Sequence, residues 1–367
     1  MSVTIDGSTG ITAPTYGGAV TAEYSVPVTA FKNRIINGAM VINQRGFSGT
    51  PTNGAYTLDR FNTYMPVASK FTVSQSSTAP AGFINSLLVT SSSAYTVGAS
   101  EAFGIQQVIE GFNIADLAWG TANAKTVTLS FQVYSSLTGT FGGALQNYAS
   151  DRSYPFSYTI SSANTWTSVS ITIAGDTTGT WLTTNSGGIA LIFSMGTGST
   201  KSGTAGSWGS TYYTSVTGAT SVVGTNGATF YITGVQLEKG STATSFDYRP
   251  YGTELALCQR YFQKISGSIN GGAYQIMSIL TYESSSTAWG SVPLRVTMRS
   301  QPTVAYSGSF TTNYGTAGTL INDGNQVGGD VAVIGWGSTG SGGTTGYSTY
   351  LRANNSTSAF VSFASEL

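Results

Sequence analysis

Short segments of alternating apolar and polar residues, divided by clusters of glycine, asparagine and serine, dominate this chain. The clearest is 125–134, whose apolar members are Val127, Leu129, Phe131 and Val133. Successive side chains of a strand point to opposite faces, so this pattern predicts a half-buried strand. Further strand candidates are 166–173, 188–194 and 229–237. Many short strands at such spacing predict an all-β fold, an antiparallel sandwich of the jelly-roll kind.

One helix is predicted over 251–264, directly after Pro250. Thr253 is placed to cap it, and Glu254 lies near the positive end of its dipole. Its apolar positions at helical spacing are Leu255, Cys258 and Phe262. Strand patterns resume afterwards at 273–281, 289–298, 303–306, 331–334 and 359–363. We therefore expect a sandwich domain over 31–252, and a short helix with a smaller C-terminal β domain over 253–367.

The first thirty residues lack periodicity and are rich in turn residues. Such a segment cannot bury enough apolar surface to order itself alone, so we expect it to pack on copies of the chain or on a partner protein. The interpretation is an anchoring and assembly arm over 1–30. Its candidate anchoring residues are Ile5, Ile11, Pro14 and Tyr16.

Composition removes several classes of function. The chain has no histidine and one cysteine, which excludes His-dependent triads, His-ligated metals and Cys-rich sites. Its 15 basic and 15 acidic residues lack the excess positive charge of a nucleic-acid binder. We expect no cofactor, no metal, and neither a signal peptide nor membrane insertion, because the apolar runs are short. The segment 322–330 resembles a calcium loop only loosely, and an ordinary turn is expected. Because few residues are charged, repulsion between protein molecules is weak, and this favours a protein that is part of an assembly.

Two groups of aromatic residues in glycine-rich surroundings are candidate glycan contacts, because sugar rings present apolar C–H faces. The first group is Trp208, Tyr212 and Tyr213, and the second is Trp336, Tyr347 and Tyr350. The alternative for Trp208 is burial against a neighbouring subunit. Trp119, Trp166 and Trp181 adjoin strand patterns and are expected to fill the core. Asp59 and Arg60 are interpreted as a structural salt bridge or capping pair.

Several strings resemble a family of bacteriophage tail-fibre and virion structural proteins. In chain order they are Asn33–Gly46, Tyr56–Phe61, Gly234–Gly240, Phe246–Tyr251 and Glu254–Tyr261. The opening Thr4–Pro14 and the closing Phe363–Leu367 also look like the ends of such proteins. One departure is Phe61, where relatives often carry tryptophan.

The resemblance implies a jelly roll similar to carbohydrate-binding modules over about 31–251, and a separate C-terminal β domain. It also implies a homotrimer in the virion tail, made in the host cytoplasm. The arm would bind other tail proteins, and the trimer would contact host surface polysaccharide. The expected role is structural attachment without enzymatic activity.

Two alternatives stay open. A capsid head fibre or decoration protein without receptor binding would share the resemblance. A polysaccharide depolymerase would need two carboxylates about 5–10 Å apart. The midchain acids Asp116, Asp151 and Asp176 are widely spaced, and the long repeats of β-helical tailspikes are missing. A binding protein is therefore favoured over an enzyme.

Overall fold

The computed structural model describes residues 4–6, 10–12, 32–266, 274–313, 318–322, 329–338 and 342–367. The chain forms two compact units, Met1–Lys32 and Asn33–Leu367. In the first unit, β1 (Thr4–Asp6) pairs antiparallel with β2 (Gly10–Thr12), which sets Ile5 opposite Ile11. Pro14 and Tyr16 lie outside the described residues. The anchoring role of this unit stays a prediction.

The second unit begins with a region of thirteen strands, of which eleven form a sandwich of two sheets and the other two, Ser202–Gly203 and Ser215–Val216, pair in parallel with each other. Its strands are β3 (Ser48–Gly49), β4 (Asn62–Tyr64), β5 (Phe71–Ser76), β6 (Ser86–Ser91), β7 (Ala102–Glu110), β8 (Val127–Ser135), β9 (Gly139–Asn147), β10 (Ser153–Ile160), β11 (Thr167–Ile173), β12 (Gly187–Thr197), β13 (Ser202–Gly203), β14 (Ser215–Val216) and β15 (Thr229–Lys239). Sheet 1 has the antiparallel order β11-β8-β15-β6-β5-β3, and sheet 2 has the antiparallel order β10-β9-β12-β7-β4. The predicted antiparallel β-sandwich is confirmed.

Alternation along the strands decides which side chains meet between the sheets. In β8, Leu129, Phe131 and Val133 are buried, whereas Gln132 and Tyr134 on the other face are partly exposed. Rings from the two sheets interlock, since Phe131 on sheet 1 meets Phe193 on sheet 2 with 5.0 Å between centroids. Trp119 and Trp181 also lie in this core, as predicted. The stabilisation is chiefly burial of aliphatic and aromatic surface.

The C-terminal part forms two further sheets. Its strands are β16 (Phe262–Ser266), β17 (Ile276–Tyr282), β18 (Thr287–Pro293), β19 (Thr303–Ser307), β20 (Phe310–Thr311), β21 (Gly318–Asn322), β22 (Val331–Ser338), β23 (Ser348–Ala353) and β24 (Phe360–Ala364). Sheet 3 has the order β20-β23-β17-β18-β22-β21, and sheet 4 has the order β16-β24-β19. Together they enclose a second core around Leu280, Trp336 and Phe363.

The helix is shorter than predicted. It is α1 (Tyr251–Gln259), and it begins after Pro250 without a side-chain cap, so the capping role of Thr253 is wrong. Phe262 does not belong to it, because Phe262–Ser266 pairs with β24 instead. The hydrogen bonds to the distant strand β24 stabilise Phe262–Ser266 as a strand, and this outweighs the helical spacing of apolar residues in the local sequence. Cys258 is buried against Ile36, Ile42 and Tyr261, as members of a third cluster. The domain division at residue 252 stays a prediction.

The strings between Asn33 and Tyr261, together with the closing Phe363–Leu367, converge on one largely buried polar cluster, which we name the motif junction. Its main members are Asn33, Asn37, Gln44, Arg45, Asp59, Arg60, Glu110, Arg249, Glu254, Arg260, Tyr261 and Glu366. Asn33 bridges two strings, since its amide donates to the Val235 carbonyl at 3.0 Å and accepts from the Leu237 amide at 3.1 Å. Gly38 lies so close to Val235 that a Cβ there would stand 2.1 Å from the carbonyl oxygen. These strings therefore hold strand β15, helix α1 and the C-terminal residues against one another.

Asp59 and Arg60 do not pair with each other. Arg60 is fully buried, binds Glu366, and stacks on the Tyr261 ring with its guanidinium carbon 3.5 Å from the centroid. Asp59 accepts hydrogen bonds from Gln44 and lies 3.9 Å from Arg45. The structural role was predicted, but tertiary contacts choose different partners for each charge.

Candidate functional site

The predicted glycan contact Trp208 packs at the edge of the sandwich core. Its ring meets those of Trp119, Trp181 and Tyr154, each with 5.3 Å between centroids. Its indole nitrogen donates to the Ala174 carbonyl at 2.7 Å. The placement of Trp208 as a free platform on its loop is therefore corrected, since three aromatic neighbours leave its ring only partly exposed. The glycan role of Trp208 stays a prediction.

Trp336 is also corrected, because its side chain is 0% exposed in the second core. It lies on the inner face of β22, together with Ala332 and Ile334. Tyr347, in contrast, is 61% exposed, and Tyr350 is partly exposed with its hydroxyl donating to Asn313 at 2.9 Å.

Tyr212 and Tyr213 are half-buried beside sheet 2. The Lys201 ammonium lies 4.4 Å from the Tyr212 ring centroid, and the Tyr213 ring fills the space over Gly203. The glycan roles of Tyr212, Tyr213, Tyr347 and Tyr350 stay predictions. The first pair adjoins the sandwich and the second pair belongs to sheet 3, so the structure places them on different layers.

A different group of rings is brought together on the outer face of sheet 1. Tyr134 on β8 lies opposite Tyr231 on β15, and Trp166 immediately precedes β11 beside them. The ring centroids are 5.1 Å apart for Tyr134 and Tyr231, and 5.5 Å apart for Tyr134 and Trp166. All three side chains are partly exposed. We name them the aromatic trio, and the expectation that Trp166 fills the core is wrong.

Sequence alternation alone contained the signal for these three positions. Trp166 has the same parity as the exposed Ser168 and Ser170, opposite to Val169 and Ile171 on the inner side of β11. Tyr134 shares parity with Gln132 in the same way. A strict period of two therefore assigns the trio to the wet face.

A row of polar side chains continues from the trio across the same face. Ser168 and Gln132 are cross-strand partners, and the serine hydroxyl donates to the glutamine carbonyl oxygen at 2.9 Å. Each lies two residues along its strand from a trio ring, or about 7 Å. Ser130 and Ser170 form the next pair. This arrangement sets hydroxyls and an amide beside aromatic rings.

Beyond the polar row, a groove of about 420 Å³ is walled by a second set of rings. Phe83, Phe246 and Tyr248 form this wall, with 5.2 Å between the first two centroids and 4.8 Å between the last two. Two hydrogen bonds fix the segment that contains Phe246 to β15. The Thr244 amide donates to Glu238 and the Asp247 amide donates to Gln236, both at 2.8 Å. No charged residue lines this groove among those that the structure describes.

The midchain acids are engaged by cations or amides elsewhere. Asp176 accepts two hydrogen bonds from Arg152 at 2.7 and 2.8 Å. Burial alone would raise its pKa, but the bonds from Arg152 and Thr178 outweigh burial and lower it. For Asp116, burial is likewise outweighed by Arg34 and Lys239, which lower its pKa. Asp151 accepts from Asn147 at 2.6 Å. Asp116 and Asp176 are therefore held ionised as structural partners, and Asp151 is engaged by a side-chain amide.

The described ranges hold no group of three or more cysteine or acidic residues arranged to bind a metal ion. They hold no helix with the length and apolarity to cross a membrane. Most of 322–330, the loose calcium-loop pattern, lies outside the described residues.

Comparisons with known proteins concern the fold alone. No family model matches the chain, and no curated protein matches it. Among solved structures, the enzymatically active domain of tailspike protein 4 of bacteriophage CBA120 is 12% identical with a TM-score of 0.33, and it covers 57% of this chain. This chain spans only 22% of that tailspike chain. A family 11 carbohydrate-binding module from Clostridium thermocellum, solved with a mixed-linked tetrasaccharide, is 10% identical with a TM-score of 0.28, covering 53% of this chain and 98% of its own.

A protein of Bacteroides thetaiotaomicron that carries the description "putative sugar binding protein" is 13% identical with a TM-score of 0.33. It covers 57% of this chain and 100% of its own.

Proposed function

We propose that this protein is a virion tail fibre whose sandwich binds a neutral glycan of the host surface through the aromatic trio and the adjoining polar row. The observation that carries the proposal is the juxtaposition of Tyr134, Trp166 and Tyr231 with Gln132 and Ser168 on one exposed sheet face. An aromatic ring and a polar side chain about 7 Å apart match the two kinds of surface that one sugar unit presents.

Both kinds of contact are needed for a sugar. The C–H faces of a pyranose pack on aromatic rings, and its hydroxyls exchange hydrogen bonds with amides and hydroxyls such as those of Gln132 and Ser168. Acidic polysaccharides are bound through charge-assisted hydrogen bonds to arginine or lysine. Since the residues lining the groove are uncharged, the favoured substrate class is a neutral polysaccharide.

The virion role is supported by the ordered strings that frame the chain. In this proposal the fibre is a homotrimer, its first thirty residues bind other tail proteins, and its receptor is host surface polysaccharide. Three weak sites on one particle gain avidity without any new contact. Electron microscopy of particles labelled with antibody to this protein tests the location. Label on the tail supports the fibre, and label on the capsid supports a head fibre or decoration protein.

We propose a binding protein rather than a hydrolase. Hydrolysis of a glycosidic bond needs an acid and a second carboxylate facing the substrate. The described carboxylates closest in sequence to the groove wall are committed to other partners, since Asp247 accepts from the Asn33 amide and Glu238 accepts from Thr244. Release of reducing ends from any bound polysaccharide would contradict this part of the proposal.

The test replaces Trp166 by alanine in the full chain and measures affinity for neutral and acidic polysaccharides by calorimetry. A central interface aromatic contributes about 2 kcal/mol or more, so we expect binding to weaken by about 10- to 100-fold. The matched control is Tyr148→Ala, which removes an exposed ring outside the groove and should leave affinity unchanged. Equal affinities for wild type and Trp166→Ala would overturn the site, and preference for acidic chains would overturn the substrate class.

A further inference from the structure

Sheet 3 exposes large aliphatic side chains at its middle. Ile279 is 71% exposed and Ile276 is 51% exposed, both on β17. This strand is inside the sheet, between β23 and β18. An open antiparallel sheet face is normally polar when it meets water. Contiguous apolar surface on a soluble protein marks an interaction site.

The register gathers more apolar residues on this face. Ile279 lies opposite Tyr350, and Val333 lies opposite Ser291 across β18 and β22. The Trp289 ring lies flat against Gly335, where a Cβ would stand 2.5 Å from it. We name this surface the isoleucine face. Its members are Ile276, Ile279, Trp289, Val331, Val333 and Tyr350.

Among the residues that the structure describes, charged side chains on this face lie at its two ends. At one end Arg352 lies over the Tyr274 and Tyr350 rings, with its guanidinium carbon 5.1 and 5.4 Å from their centroids. At the other end Glu283 accepts a hydrogen bond from the Trp289 indole nitrogen at 2.8 Å. An uncharged apolar middle with a polar rim is the usual anatomy of a protein–protein interface.

We propose that the isoleucine face packs against the isoleucine faces of the other copies of this chain around the three-fold axis of the proposed homotrimer, so this inference rests on the proposed function. Identical faces can meet only if like charges do not oppose one another at the centre, and the described residues at this centre are uncharged. The balance of 15 basic and 15 acidic residues also leaves copies without net repulsion.

The size of the face fits this occupant. The six strands of sheet 3 hold 35 residues, which at a strand spacing of about 4.8 Å and a rise of about 3.3 Å per residue give a face of roughly 550 Å². Two such faces bury about 1,100 Å² together, and a specific protein interface buries more than about 1,000 Å² in total. A glycan is a poorer occupant, because branched aliphatic side chains at the centre neither stack on sugar rings nor bond their hydroxyls.

The experiment measures the mass of the full chain by analytical ultracentrifugation across a range of concentrations. Wild type is expected to assemble, and Ile279→Lys is expected to weaken assembly by at least about tenfold, because each contact would then bury an unpaired ammonium. Val331→Lys, also on the face and 41% exposed, should act in the same direction. The control is Ile84→Lys, which alters an isoleucine of equal 71% exposure on the sandwich.

A monomeric wild type, or an Ile279→Lys chain of unchanged mass, overturns the proposal. So does equal dissociation by Ile84→Lys. If Ile279→Lys keeps its mass but loses polysaccharide binding, the face binds glycan instead. Affinity per chain for neutral polysaccharide, measured on the dissociated Ile279→Lys variant, reports separately on the sandwich site, so failure of assembly and failure of glycan binding are distinguishable.

Discussion

Sheet 1 and sheet 3 both carry partly exposed aromatic rings on an outer face, but the neighbours of those rings differ. Around Tyr134 and Trp166 the neighbours are hydroxyls and an amide. Around Tyr350 the neighbour on the next strand is Ile279, which is 71% exposed. The comparison teaches that an exposed ring does not define a ligand. Polar neighbours favour a hydroxyl-rich sugar, whereas aliphatic neighbours favour another protein surface.

The two regions also meet through the motif junction rather than through a flexible linker. Arg60 from the sandwich binds Glu366 from the C-terminal end, and Arg260 after α1 binds Glu110 on β7 at 2.6 Å. Buried ion pairs of this kind fix geometry, and each is costly to break singly.

The largest expected effect comes from breaking this link with Glu366→Ala. Arg60 would keep its buried charge and lose its carboxylate, so the free energy of unfolding in urea should fall by about 3–5 kcal/mol. The matched control is Lys239→Ala, which removes an ion pair with Asp116 whose side chains are 44% and 52% exposed, and should cost less than about 1 kcal/mol. Hydrogen exchange should rise first in β16 and β24. A loss below 1 kcal/mol for Glu366→Ala would contradict the junction.

The second expected effect distinguishes Trp208 from Trp166. The sequence analysis predicted a glycan contact for Trp208 and a core position for Trp166, and we expect the opposite roles. Trp208→Ala should lower stability by about 2–3 kcal/mol, because it removes a partly exposed ring from contact with three others. Its affinity for polysaccharide should stay within about twofold of wild type. Trp166→Ala should instead weaken binding to polysaccharide, and it should lower stability less than Trp208→Ala does. Calorimetric binding and thermal unfolding of both variants check this, and a binding loss in Trp208→Ala alone would restore the original interpretation.

The smallest expected effect is a pH dependence at Glu110. Burial alone would raise the pKa of Glu110, but the bonds from Arg260 and Tyr261 outweigh burial and lower it. A lowered folded pKa stabilises the protein above the unfolded value of about 4.3, and the gain is lost as pH falls through the folded pKa.

Glu110→Gln should therefore cost about 1–2 kcal/mol at pH 7, with the gap to wild type closing below pH 4. Urea unfolding at pH 7, 5 and 3 provides the measurement. A gap that widened towards pH 3 would show that the carboxylate acts in another way.

The sequence predicted much of the fold because the signal is local. The segments 125–134 and 229–237 correspond to β8 and β15, since period-two alternation depends only on neighbouring residues. The helix was predicted too long because Phe262–Ser266 finds a distant partner in β24. Trp336 could not be assigned from alternation, because β22 is apolar on both faces.

By itself, the sequence determined an all-β chain, excluded histidine chemistry and contained the parity that turns Trp166 outward. Only the tertiary structure decided that Tyr134, Trp166 and Tyr231 come together, since this requires register between strands that are distant along the chain. It also decided that the Trp208 ring packs against those of Trp119, Trp181 and Tyr154. Alternation is a property of one strand, whereas a binding face and a buried ion pair are properties of strand order, which packing of the whole core selects.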